Sequence, residues 1–297
     1  MEFGGEITYA EVARMERACA VTRPDVVIAA GGGKAIDATK LLGRGLGARV
    51  VTVPTIASND APTSHIIVVY DEAHKLVGVE RLPSNPDLVL VDTAVIVRAP
   101  ASLLAAGIGD AIVKRFEVEQ CVGAGGPNMF GGRSPTTAVA LARACYDEVR
   151  SNAAGAMKAL EAGAPDDAFE RVVEACVLMS GLAFESGGLS ICHGLTRGLS
   201  AVRGPAEALH GHQVAYGLLV QFALERRERA FVDDVRGFYH EVGLPVSLTA
   251  LGFTEGSNEI ALIAELSAQA AHMKNFDHPL AADDFVRAIE SVERDAT

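Results

Sequence analysis

The sequence predicts a two-part protein: an α/β layer built on a parallel sheet over residues 1–99, then an all-helical region over residues 100–297. Three observations carry this expectation. Helical patterns alternate with short β-branched runs as far as Val97, and after Pro100 the texture turns to long Ala- and Leu-rich amphipathic stretches. The chain has 297 residues, 49% hydrophobic and 22% charged, which is enough for two domains with sizeable cores.

The elements follow in order. Thr8 followed by Glu11 reads as a capping box opening a helix that runs to about Ala20. Val26 to Ala30 is a continuous apolar run between Pro24 and Gly31, the pattern of a strand buried on both faces. From Lys34 to Leu42, Ala35, Ala38 and Leu42 recur at helical spacing, with Gly43, Gly45 and Gly47 expected to end that helix. Arg49 to Val53, His65 to Tyr70 and Leu88 to Val91 are further strand candidates. Past Pro100, helices are expected over Ser102 to Cys121, Thr136 to Asn152, Asp167 to Ser186, Ala206 to Arg226, Phe231 to Val242, Glu259 to His272 and Ala282 to Arg294.

Charge and composition exclude several classes. With 26 basic and 38 acidic residues the net charge is -12, so nucleic-acid binding has no electrostatic support. Five cysteines without a C-x-x-C suggest neither a disulfide framework nor a thiolate zinc site, and the chain reads as reduced and cytoplasmic. Asp92, Arg98 and Asp110 interrupt the most apolar stretch, so no membrane span is expected. The acidic start, Met-Glu-Phe-Gly-Gly-Glu, has no secretory h-region.

Gly31-Gly32-Gly33-Lys34 sits between the first strand and the next helix, where glycines let backbone N–H groups approach a phosphate. Neither common fingerprint fits. The dinucleotide pattern needs glycine where Ile36 stands, and the P-loop needs glycine at Ile28 and a hydroxyl at Ala35. Spacing leaves both a phosphate site and a plain tight turn open. Asp37 and Lys40 read by themselves as solvated helix surface. The polar loop from Val53 to Ser64 follows a strand, where α/β sheets bind ligands.

The segments GGGKAIDATK, PTIASNDAPTS, PDLVLVDT, APASLLAAGIGDAIVKRFE and LHGHQVAYG, in that order, resemble the glycerol dehydrogenase branch of the iron-containing (group III) alcohol dehydrogenase superfamily. The resemblance spans essentially the whole chain. It implies a dehydroquinate synthase-like fold, with an α/β nucleotide-binding domain (1–99), incomplete at its N-terminus, and an all-α metal-binding domain (100–297). It also implies NAD as cofactor, contacted by Gly31, Gly32, Gly33, Lys34, Ala35, Ile36, Asp37, Thr55, Ile56, Ala57, Ser58, Ser64, Ile66 and Tyr70, with the glycine turn at the pyrophosphate. Asp60 matches the family's substrate-hydroxyl partner and is the expected catalytic residue. A homo-oligomer is expected. Relative to the family, roughly sixty residues of the nucleotide-binding half are expected to be missing before Met1, through a misassigned or truncated start.

Taken alone, Asp110 beside glycine is a cap or turn residue, and His193 and His210 are core or surface histidines. The resemblance makes these three the metal ligands, and a carboxylate with two imidazoles leaves a coordination position open for a substrate oxygen. The two histidines are seventeen residues apart. On one straight helix that is about 25 Å, so the chain must turn between them, and Gly198, Gly204 and Pro205 offer the breakers. His212 falls roughly 200° round the helix from His210 and is not expected on the metal. His65, His74, His240, His272 and His278 are read as structural or solvated.

Iron-dependent relatives carry a metal-binding histidine four residues after the aspartate, where this chain has Lys114. A cationic side chain does not ligate a metal, so the resemblance points to Zn²⁺ ahead of Fe²⁺. Lys114 either faces the pocket, where it would favour a carboxylate or phosphate on the substrate, or pairs with an acid such as Glu117 at the surface. The implied activity is reversible, NAD-dependent and zinc-dependent oxidation of glycerol or a related small vicinal diol. The alternatives are an NAD(P)-dependent dehydrogenase of a 2-hydroxy acid, amino alcohol or polyol phosphate, and a truncated non-catalytic paralogue.

Overall fold

The computed structural model describes residues 1–72, 76–254 and 256–296. Helix α1 (Tyr9–Cys19) begins where Thr8 accepts a hydrogen bond from the Glu11 N–H at 3.0 Å. Only half of the expected capping box forms, because the Glu11 carboxylate turns away to the Gly4 N–H and to Arg14. Strand β1 (Val26–Gly31) runs into α2 (Gly33–Leu46), and β2 (Arg49–Pro54) returns parallel to β1, with Ile28 opposite Val51. This is the expected βαβ unit. Helix α2 runs through Gly43 and Gly45 and stops at Gly47, whose φ of 66° supplies the left-handed cap.

Strands β3 (Ile66–Tyr70) and β4 (Leu76–Arg81) pair antiparallel, and β5 (Leu88–Val89) extends the parallel sheet in the order β1-β2-β5. β4 was not among the expected strands. β1 departs from expectation in a second way, since it is buried on one face only. Val27 and Ala29 point inward against α2, whereas Val26 is 42% and Ile28 is 65% exposed on a face that no described residue covers. Asp37 and Lys40 are also not solvated. Both are buried: Asp37 accepts from the Val68 N–H at 3.0 Å and from Lys40 Nζ, which also donates to the Ile66 carbonyl at 2.9 Å. This buried pair ties α2 to β3.

The helical part comprises α3 (Thr93–Ile96), α4 (Ala101–Gly123), α5 (Thr136–Ala162), α6 (Asp167–Glu174), a π turn (Ala175–Met179), α7 (Ser180–Gly187), α8 (Ile191–Leu199), α9 (His210–Leu224), α10 (Arg229–Val242), α11 (Ser257–Ala268) and α12 (Ala282–Ala296). α8 was not foreseen, and α5 runs ten residues past its expected end at Asn152. The helix expected from Ala206 is split: Pro205–Glu207 form a single 3₁₀ turn and α9 starts afresh at His210. Among the described residues no single helix is long and apolar enough to cross a membrane.

Among the described residues two main apolar cores result, with a small third cluster of Val118, Ala142 and Ala183. Ile7, Val12, Met15, Val27, Leu41, Val50 and Ile67 fill the α/β layer, while Ile108, Ile112, Phe116, Leu195, Tyr216 and Phe222 belong to the larger helical core. Polar clasps join them. Glu185 on α7 accepts from the His65 N–H at 2.6 Å, meets the His65 ring, and accepts from Asn85 Nδ2 at 2.5 Å. Thr63 Oγ1 donates to the Val177 carbonyl in the π turn at 2.5 Å.

Helices α4 and α9 cross in near backbone contact. A Cβ on Gly211 would lie 1.7 Å from the Ala106 carbonyl oxygen, and one on Gly107 would lie 1.8 Å from the carbonyl oxygen of Ala57. Gly211→Ala is therefore expected to force α4 and α9 apart and to cost about 3 kcal/mol in a urea melt followed by circular dichroism. Gly237→Ala on α10, where a Cβ meets nothing within 4 Å, should instead gain up to about 1 kcal/mol.

Candidate active site

The glycine-mediated crossing brings together residues far apart in sequence. Asp110 projects from α4, His193 from α8 and His210 from the first turn of α9. The chain reverses between the two histidines at Gly204, which adopts φ 84°, and Pro205, whereas Gly198, also expected to break the helix, lies inside α8 against the Ile263 backbone; the two imidazole centroids stand 5.3 Å apart. One ligand atom from each of Asp110, His193 and His210 lies within 4.8 Å of the others. Their order of exposure runs from buried Asp110 through His193 to His210 on the open side.

Glu117, expected from the sequence only as a partner for Lys114, orients the set. Its Oε2 lies 2.5 Å from His193 Nδ1, and Oε1 accepts from the backbone N–H groups of His193 and Ser190 at 3.0 Å each. With Nδ1 committed to this carboxylate, His193 presents Nε2 to Asp110, 3.5 Å away. That carboxylate–imidazole arrangement is the usual outer support of a metal-binding histidine. One buried carboxylate and two imidazoles, with Nε2 turned inward, suit a divalent ion of the zinc or iron type.

Lys114 faces the pocket and is 1% exposed, which removes the surface alternative. Its Nζ lies 2.6 Å from Asp110 Oδ1, 3.2 Å from Asp60 Oδ2 and 3.3 Å from His193 Nε2. Asp60, in the loop after β2, also accepts from Ser180 Oγ at 2.9 Å. The π turn just before Ser180 is a frequent companion of functional sites.

The charges shape one another. Burial alone would raise the Asp110 carboxyl, but the Lys114 ammonium and the His193 hydrogen bond hold it well below the usual carboxylate range. Burial does prevail at Asp60, helped by the nearby Asp110 charge, and raises its carboxyl. His193, against burial, is raised to about 8, chiefly by Glu117. The protein packed around His210 lowers its imidazole, although solvent on its open side weakens that effect. His272, set aside in the sequence, feels the His193 charge, and burial first and His193 second lower it to about 4.

The expected cofactor residues fall into two groups. Gly31, Gly32, Gly33, Lys34 and Ala35 form the turn into α2, where no side chain caps the first N–H groups. A Cβ on Gly32 would lie 2.7 Å from Ile56 and one on Gly33 2.7 Å from Asn59, so these glycines also admit the neighbouring loop that carries Thr55, Ile56, Ala57 and Ser58. The other side chains are largely engaged within the fold. Ile36 is core, Asp37 is bound to Lys40, Lys34 pairs with Glu6 at 2.5 Å, Ser64 accepts from the Ile66 N–H, and Tyr70 lies beneath Lys34 Nζ at 5.9 Å. His212 lies outside the ligand group, His65 is buried against Glu185, His278 is exposed beside Asp277, and His74 falls outside the described residues. If Glu117 fixes the His193 ring, Glu117→Gln should weaken divalent-metal binding roughly 10- to 100-fold in a chelator competition while the circular dichroism spectrum stays native.

Known proteins resemble this chain over most of its length. The family model described as iron-containing alcohol dehydrogenase matches residues 1–93. A glycerol dehydrogenase of Thermotoga maritima is 38% identical over 294 residues, covering 98% of this chain and 80% of that protein. A glycolaldehyde reductase of Halobacterium salinarum is 37% identical over 93% of this chain and 76% of its own length. The crystal structure of a probable glycerol dehydrogenase from Sinorhizobium meliloti 1021 superposes with a TM-score of 0.94 at 35% identity, over 99% of this chain and 83% of that one. The chain belongs to the iron-containing alcohol dehydrogenase family of oxidoreductases.

Proposed function

We propose that the protein oxidises glycerol or a related small vicinal diol to the hydroxyketone, reversibly, with NAD as hydride acceptor and zinc ahead of iron as the metal. The observation that carries this reading is the convergence of Asp110, His193 and His210 within 4.8 Å beside the half-buried Asp60. The three ligands would hold a divalent ion, which when bound supplies Lewis-acid polarisation of a substrate oxygen. NAD supplies the hydride acceptor.

This chain's own residues do the rest. Glu117 keeps His193 Nδ1 occupied, so that Nε2 alone faces the ligand space. Asp60, steadied by Ser180, is the acceptor for a second substrate hydroxyl, which suits a diol better than a simple alcohol. The uncapped N–H groups at the start of α2 favour the cofactor's pyrophosphate. Lys114 donates from the same pocket.

Charge favours a neutral substrate. Asp60, Asp110 and Glu117 face the single ammonium of Lys114. With all three carboxylates ionised, a divalent ion would bring these charges to balance, leaving no surplus positive charge for a carboxylate or phosphate on the substrate. A panel of glycerol, propane-1,2-diol, lactate and glycerol phosphate, followed by nicotinamide absorbance with added zinc, tests the reading. The diols are expected to exceed the two anions by at least tenfold in kcat/KM, and Asp110→Asn should abolish turnover. Preference for lactate or glycerol phosphate would move the substrate to the acidic class, and no detectable NADH binding by the folded protein would favour a non-catalytic role.

A further inference from the structure

Lys114 Nζ stands against two of the three candidate ligands. It is 2.6 Å from Asp110 Oδ1 and 3.3 Å from His193 Nε2, and these two ligand atoms are themselves 3.5 Å apart. An ion at about 2.1 Å from both atoms falls within about 4 Å of Nζ wherever it sits around the line joining them. Ammonium and divalent ion would therefore be near neighbours in a buried site, where like charges repel strongly. Lys114 is buried. Its side chain is 1% exposed, and the Phe184 ring lies 5.2 Å from Nζ. It does have a second anchor, Asp60 Oδ2 at 3.2 Å, steadied in turn by Ser180.

We propose that Lys114 is an internal competitor for the metal site: its ammonium holds Asp110 and His193 in place without metal, and metal entry hands Lys114 over from Asp110 to Asp60. The inference rests on the metal reading above. It adds that the site is preformed before loading, that loading works against a resident cation, and that the loaded protein presents an Asp60–Lys114 pair to the substrate. The exchange conserves charge partners. Asp110 trades an ammonium for the ion, and Lys114 keeps one carboxylate.

Zinc affinity measured by competition with a chromophoric chelator, together with thermal melts with and without zinc, tests this on the wild-type chain, Lys114→Met and Lys114→Arg. Lys114→Met is expected to bind zinc at least tenfold more tightly, to melt below wild type without metal, and to show a larger rise in Tm on adding zinc. Lys114→Arg, which keeps the cation, should bind no more tightly than wild type. Unchanged or weaker zinc binding by a natively folded Lys114→Met overturns the competition. If that variant does not fold, crystal structures of the wild type with and without zinc decide: Nζ leaving Asp110 for Asp60 supports the exchange, and Nζ remaining on Asp110 beside bound zinc overturns it. Zinc binding by none of the three proteins would overturn the metal reading and this inference together, whereas binding unaffected by Lys114→Met overturns the inference alone.

Discussion

The site depends on how closely two helix backbones can approach. α4 and α9 cross with Gly211 against the Ala106 carbonyl, and on the other side of α4 the Ala57 carbonyl seats on Gly107. The first contact sets Asp110 opposite His210. The second draws in the loop that carries Asp60. A side chain as small as a methyl at either glycine would widen these separations, and a constellation of ligand atoms within 4.8 Å has no room for such a change. Gly107 and Gly211 thus belong to the chemistry, although they contribute no functional atom.

Once assembled, the charged groups are mutually dependent. Asp110 stays ionised in a buried place because Lys114 and His193 face it, and His193 is held in one orientation because Glu117 claims its other nitrogen. Removing any one would leave its neighbours buried without compensation, which costs more than a missing contact at the surface. The same dependence explains why the cluster draws on α4, α7, α8, α9 and the loop after β2. No single element could carry three carboxylates and an ammonium this close without partners from elsewhere.

Much of this was legible in the sequence, and the shortfalls have physical causes. The βαβ unit followed from periodicity and a glycine turn. The grouping of Asp110, His193 and His210 followed from motif words, and the turn between the two histidines from Gly204 and Pro205. α8 escaped notice because Gly194 and Gly198 depress helix propensity, while close packing against its neighbours makes those positions acceptable. β1 looked doubly buried because an apolar run does not say which faces will be covered. Glu117 was within reach: Asp110, Lys114 and Glu117 stand at i, i+4 and i+7, one face of one helix, which already places all three at the same centre. What spacing could not supply was the direction of Lys114, since a lysine four residues from an aspartate pairs with it equally well in water or in a core.

The Glu185 clasp bears on how the molecule comes apart. One buried carboxylate receives the His65 N–H, the His65 ring and the Asn85 amide, all from the α/β layer, while standing on a helix of the other core. Melting either core alone would break all of these contacts at once. The smaller core is thereby coupled to the larger one, and the two are set to unfold as one cooperative unit rather than in succession.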